Sequence, residues 1–149
     1  MNKNEALKLN EQMLEAWNKH DVEKFIGLCN ENAIWKINNG EEIFRGKKEI
    51  REYFNHWKMA FPDLRLKADH TMYEDEQLCV EYQLTGTQNG KLELRKGMIE
   101  IDPTHKKISV CGNYRATIKN GKFAETYLFT DRLSLFEQLG VESELMHHA

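Results

Sequence analysis

Hydrophobic positions in the first part of the chain recur with a helical period. Ala6, Leu7, Asn10, Met13, Leu14 and Trp17 fall on one face at 3.6-residue spacing, which predicts an amphipathic helix over residues 4–19. Asp21 stands where it can cap a second, short helix carrying Val22, Phe25, Ile26 and Cys29. A third helix is predicted from Lys47 to Ala60. Its apolar stripe of Ile50, Tyr53, Phe54, Trp57 and Phe61 is wide and aromatic, and Pro62 stops it.

Beyond Pro62 the period changes from helical to alternating. Three Asn-Gly pairs, Asn39-Gly40, Asn89-Gly90 and Asn120-Gly121, read as hairpin tips, because both central residues of a type I′ turn need positive φ. Ala33–Asn38 would then pair with Glu41–Arg45, Leu78–Gln88 with Lys91–Ile101, and Ile108–Lys119 with Lys122–Thr130. Asp102-Pro103-Thr104-His105 supplies a further turn, and another strand is expected near Leu64–Tyr73. Leu133, Leu135, Phe136 and Leu139 mark a short helix over 132–139 that ends at Gly140. Helices first and strands second predict an α+β domain, with a long, twisted, mostly antiparallel sheet curled around three N-terminal helices and a cavity between them.

With 149 residues, no linker and no internal repeat, one domain is expected, its core spanning 4–140 and a tail 141–149. Twenty-one basic against 24 acidic residues give a net charge of −3, which supplies no field for nucleic acid. No apolar run exceeds three residues, as in Tyr127-Leu128-Phe129, so no membrane span is expected. Met1-Asn2-Lys3-Asn4-Glu5 is not the apolar stretch of a signal peptide, and Cys29, Cys79 and Cys111 are odd in number and widely spaced. Reduced thiols in the cytoplasm are the expectation. His20, His56, His70 and His105 are scattered, His147-His148 sit in the tail, and no metal-binding spacing occurs.

The densest candidate chemistry is in the stretch 123–131. At a strand's period of two, Phe123, Glu125, Tyr127, Phe129 and Asp131 share a face, two carboxylates among three rings. A carboxylate against aromatic walls loses hydration, its pKa rises, and it becomes a better base at neutral pH. Asp131 has a second reading, as the N-cap of the helix that follows, where its pKa would fall instead. Glu125 is either part of the same constellation or an edge-strand acid paired with Arg115 or Lys122. Arg115, if inward, would orient a carbonyl or carboxylate ligand. Trp35, Tyr53, Trp57, Phe61 and Tyr82 either wall an apolar pocket or are plain core.

Phe61-Pro62-Asp63-Leu64, Gly86-Thr87, Pro103-Thr104, Asn120-Gly121-Lys122 with Glu125, and Asp131 followed by Gln138-Leu139-Gly140 occur in an order and spacing that resembles the SnoaL-like polyketide cyclase and ester cyclase family, within the nuclear-transport-factor-2-like superfamily. The resemblance runs from the first helix to Gly140. It implies a cone-shaped roll: a strongly curved, mixed but mostly antiparallel sheet around three helices, with a short C-terminal helix, assembled as a homodimer through the sheet. It also implies cyclisation without metal or organic cofactor. The residue matching Asp131 removes a proton beside carbonyl groups, and the enolate closes a ring. Gln88 and Thr126 stand where family members often carry His or an aromatic ring, so those partners are either missing or replaced by Arg115 or Asn113. Together with the reading of the residues this gives a candidate site of Asp131, Glu125 and Arg115, walled by Trp35, Tyr53, Trp57, Phe61, Tyr82, Asn113, Tyr127 and Phe129. Two functions follow: a cyclase or isomerase acting on a small, largely apolar carbonyl compound in the cone, or a binding or dimeric interaction module without chemistry.

Overall fold

A computed structural model of the protein describes residues 1–141. Helix α1 (Lys3–Asn18) starts at Asn2, whose side chain accepts from the Glu5 N–H at 2.9 Å, and it buries Ala6, Leu9, Met13 and Trp17. Helix α2 (Val22–Gly27) is capped by Asp21, which accepts from the Lys24 N–H. Cys29 is not helical, as the spacing suggested, but opens strand β1 (Cys29–Ile37). Phe123 N–H donates to the Leu28 carbonyl and pulls the chain into the sheet there. A hairpin through Asn38 and Asn39, both at positive φ, leads to β2 (Glu42–Arg45) and on to α3 (Gly46–Ala60).

The remaining strands are β3 (Arg65–Glu74), β4 (Gln77–Thr87), β5 (Leu92–Leu94), β6 (Ile99–Ile101), β7 (Lys107–Lys119) and β8 (Lys122–Thr130), followed by α4 (Arg132–Leu139). Six of them form one sheet in the order β2-β1-β8-β7-β4-β3, antiparallel except for the β1–β8 pair; β5 and β6 form a separate hairpin. The helices cover the concave face. Trp17, Phe25, Trp35, Tyr53 and Phe54 meet ring to ring there, at centroid distances such as 5.0 Å for Phe25–Phe54 and 5.6 Å for Trp35–Tyr53. Such pairs add about 0.5–1.5 kcal/mol each beyond the area they bury.

The Asn89-Gly90 hairpin does not form. The tip between β3 and β4 is Asp75-Glu76, both at positive φ, and the tip between β5 and β6 is Arg95-Lys96-Gly97. Asn89 and Gly90 instead donate both their N–H groups to the Ala60 carbonyl at the end of α3. A Cβ at position 90 would collide with the Met59 carbonyl, so glycine serves close approach here, not a left-handed turn.

The residues that carry the resemblance are joints between elements. The Asp63 carboxylate accepts from the Thr87 N–H at 2.7 Å and its hydroxyl at 2.8 Å, and Gly86 gives Phe61 and Leu64 room to pack. Gln88, fully buried, donates to the Ile101 and Asp102 carbonyls and accepts from the Thr104 N–H and hydroxyl. Gln138 ties α4 to β7 by accepting from the Ser109 N–H and donating to the Ser109 carbonyl.

Candidate functional site

Strand β8 decides what the site contains. Thr117 pairs with Glu125 but Ile118 pairs with Phe123, so Ala124 is an extra residue, a β-bulge. The bulge shifts the alternation by one. Phe123 points inward, yet beyond Ala124 the inward residues are Thr126, Leu128 and Thr130, while Glu125, Tyr127 and Phe129 face outward. The expectation that Phe123, Glu125, Tyr127, Phe129 and Asp131 share one face fails for this reason.

Inside the cone lies a narrow aromatic slot lined by Met13, Leu14 and Trp17 of α1, Trp35 of β1, Tyr53 and Trp57 of α3, Leu66 of β3, Tyr82 and Leu84 of β4, Tyr114 of β7, and Leu128 and Thr130 at the end of β8. Gly112 on β7 makes room for the Tyr82 ring, whose hydroxyl lies 2.7 Å from the Thr130 hydroxyl and donates to the Phe129 carbonyl at 3.3 Å. Tyr114 donates to the Asn10 side-chain oxygen. The slot's volume is about 30 Å³, room for a water or two. Burial pushes the Tyr82 phenol up to about 12 and raises Tyr53 and Tyr114 further, so all three stay protonated donors at neutral pH.

Tyr53 and Trp57 also line a second space of about 540 Å³, a vestibule between α3, β2 and the β5–β6 tip, with Glu42, Phe44, Lys48, Glu49, Glu52, His56, Glu93 and Lys96 around it. The two rings are therefore the wall between slot and vestibule. His56 Nε2 accepts from the Glu93 N–H at 2.9 Å, which leaves the ring proton on Nδ1. Behind this wall Arg132 donates to buried Glu42 at 2.5 Å. The charges of this pair reach the Tyr53 hydroxyl, Glu42 disfavouring and Arg132 favouring its ionisation.

Asp131 lies outside the slot. Its side chain is exposed and accepts from the Ser134 N–H at 3.0 Å as the N-cap of α4. It borders an outer groove with Asp69, Glu81, Cys111 and Asn113, and the Tyr82–Thr130 hydroxyl pair separates that groove from the slot. Glu125 does not sit on an edge strand. It binds Lys36 across the parallel β1–β8 pair at 3.1 Å, and Tyr127 donates to it at 2.7 Å. Tyr127, and then Lys36, hold its carboxyl below the usual range. Arg115 stacks its guanidinium over the Tyr127 ring on the same outer face, 4.7 Å from the centroid.

Of the expected wall residues, Trp35, Tyr53, Trp57 and Tyr82 line the slot. Phe61 is plain core stacked on Trp57, and Asn113, Tyr127 and Phe129 stand on the convex side of the sheet. Sequence reasoning left out Trp17, Tyr114, Leu128 and Thr130. The helical period does place Trp17 on the buried face, and Tyr114 shares the inward alternation of β7 with Val110 and Ala116. Nothing in local sequence announces Arg132 as the partner of Glu42, 90 residues away.

The family model of the SnoaL-like polyketide cyclases matches residues 7–139 of this chain. No curated protein matches it. Among solved structures, TsrD from Streptomyces laurentii superposes with a TM-score of 0.80 at 23% identity, covering 95% of this chain and 98% of TsrD. TerC, crystallised with polyporic acid, gives 0.72 at 13% identity over 91% and 98% of the two chains. An NTF2-like protein of unknown function from Burkholderia pseudomallei gives 0.74 at 12% identity over 91% and 97%.

Proposed function

We propose, for a chain that belongs to the SnoaL-like polyketide cyclase family, that it binds a small, largely apolar compound in the aromatic slot without using Asp131 as a base. The observation that carries this reading is the separation of acid from slot. Among the described residues the slot is lined by rings, aliphatic side chains and one threonine, with no carboxylate, imidazole or amine. Asp131 is exposed and accepts from the Ser134 N–H as the cap of α4, on the far side of the Tyr82–Thr130 pair from the slot. A proton-abstracting carboxylate needs the opposite surroundings, desolvated and within reach of the substrate carbon. The co-crystal of TerC with polyporic acid is consistent with small-molecule binding on this fold. The slot alone is too small for such a compound, so binding requires the Tyr53 ring to turn and join the slot to the vestibule of about 540 Å³ as one space.

The test is calorimetric titration with indane, a flat bicyclic hydrocarbon. Saturable binding with a negative heat-capacity change is expected, together with a ligand-dependent rise in the thermal midpoint. Asp131→Asn keeps the cap, since Asn and Asp cap equally well, and should bind within about twofold of wild type. Absence of saturation up to the solubility limit, or a tenfold loss in Asp131→Asn, would refute the reading.

A further inference from the structure

On α3, Glu49, Glu52, Tyr53, His56 and Trp57 recur three and four residues apart and turn one stripe of the helix, part acidic and part aromatic, toward the vestibule. Phe44 of β2 extends the aromatic part, its ring 4.9 Å from that of Tyr53, which lies 6.3 Å from Trp57. With Glu42 and Glu93, four carboxylates border a space of about 540 Å³, against two ammonium groups, those of Lys48 and Lys96. Glu42 is held by Arg132, and Glu49 by the Arg45 N–H and, at 3.7 Å, by Lys96; among the described residues Glu52, Glu93 and Lys48 form no ion pair.

The wall carries a free acceptor as well. Tyr53 is only 7% exposed, yet its hydroxyl makes no hydrogen bond among the described residues and is not sealed as the Trp17 and Trp35 indoles are. A phenol oxygen has lone pairs to offer a donor. The chain's own Lys96 reaches in from the β5–β6 tip and sets its ammonium 5.3 Å from the centre of the Phe44 ring, as the negative face of an aromatic ring favours. Among the described residues no three acidic, imidazole or thiol groups converge as a metal ion requires. Negative charge spread beside rings, round a space of this size, suits an organic cation.

We propose that the vestibule is a binding site for a primary alkylammonium, which donates to the Tyr53 hydroxyl oxygen and to the Glu52 or Glu93 carboxylate and sets its charge beside the wall of Phe44, Tyr53 and Trp57. The site exists with the Tyr53 ring as it stands, so it goes beyond the binding of an apolar compound in the slot and does not depend on it.

The test titrates n-butylammonium chloride, which repeats the end of a lysine side chain, into ¹⁵N-labelled wild-type protein at neutral pH and low salt. A second sample receives 1-butanol, uncharged and of the same length, with matching sodium chloride. Of the three tryptophans only Trp57 lines the vestibule, so its indole N–H signal should shift saturably with the ammonium, while those of Trp17 and Trp35 move less. A cation–π contact and exposed ion pairs put the expected Kd in the millimolar range, about tenfold tighter than for the alcohol. Tyr53→Phe keeps the ring and every charge of the wall, and should weaken ammonium binding by about tenfold, the worth of a hydrogen bond to a charged group. Glu52→Gln together with Glu93→Gln should weaken it by about threefold. The proposal is overturned if ammonium and alcohol bind alike, if Trp17 and Trp35 respond as strongly as Trp57, or if either variant protein binds the ammonium as tightly as wild type. The comparison of the two probes needs no variant, so a substitution that fails to fold leaves the proposal open to refutation. Failure of indane to bind would sink the reading of the slot and leave this one standing, and failure of the ammonium would do the reverse.

Discussion

Lys58 is the residue most at odds with its surroundings. It lies on the apolar face of α3, with Nζ 4.4 Å from the Trp17 ring and 5.5 Å from Phe54, and among the described residues no carboxylate lies within ion-pairing distance. Its hydrogen-bond partner is the Leu64 carbonyl at 3.5 Å, at the limit of such a bond. Burial lowers its pKa from 10.5 to about 7. Between those values the unfolded chain holds a proton that the folded chain releases, so stability must rise as pH climbs from about 7. Urea midpoints at pH 7.0 and 8.5 should show that rise, with a slope of at most about 1.4 kcal/mol per pH unit for one proton. Lys58→Met should remove it and stabilise the protein at pH 7. A flat wild-type profile would place the ammonium in water. His20, whose pKa burial and Lys58 both lower, titrates below this window, and Cys29, pushed up to about 11, adds its opposite trend above it.

At the scale of elements, the site depends on two backbone irregularities in neighbouring strands. The Ala124 bulge turns the acid–aromatic face of β8 outward, and Gly112 on β7 lets Tyr82 cross to Thr130. A Cβ at position 112 would overlap both the Tyr82 hydroxyl and the Phe129 carbonyl. Gly112→Ala is therefore expected to cost about 1–3 kcal/mol as overpacking, read as a lowered urea midpoint at unchanged m-value. Gly27→Ala, with nothing within 4 Å, is the control and should be neutral or slightly stabilising. Equal effects at the two positions would mean that the Tyr82–Thr130 contact is not held against Gly112. The outward turn of β8 also explains why Glu125, Arg115 and Tyr127 meet Lys36 on the outer face of the sheet and not in the slot.

At the scale of the molecule, one long-range ion pair links the first hairpin to the last helix. Glu42 of β2, buried, pairs with Arg132 of α4, half-buried, beside Tyr53, and among the described residues Arg132 Nε has no partner. Removing one member of a buried pair leaves an uncompensated charge, so Glu42→Ala should cost about 3–5 kcal/mol by chemical denaturation. The double variant Glu42→Leu with Arg132→Met should recover most of it, because two apolar side chains need no pairing. If the single and double variants are equally destabilised, packing and not charge accounts for Glu42.

Local chemistry in the sequence determined the elements. The 3.6-residue stripes place α1 and α3 within a residue or two of where they lie, Pro62 ends α3, Asp21 and Asp131 cap the helices that follow them, and Asn120-Gly121 turns β7 into β8. The markers Asp63, Thr87, Thr104 and Gln138 were legible for the fold, since each bonds to another element. What only the tertiary structure decided is which side of the sheet each residue faces and who its distant neighbours are. Alternation assigns faces only while the register holds, and one unpaired residue, Ala124, inverts it for the rest of β8. Asn89-Gly90 carries a turn's composition, yet the carbonyl of Ala60, 29 residues earlier, takes its amides. The encounters of Glu42 with Arg132 and of Trp17 and Trp35 with Tyr53 depend on the closing of the cone, which brings distant chain segments together by packing and leaves no trace in local spacing.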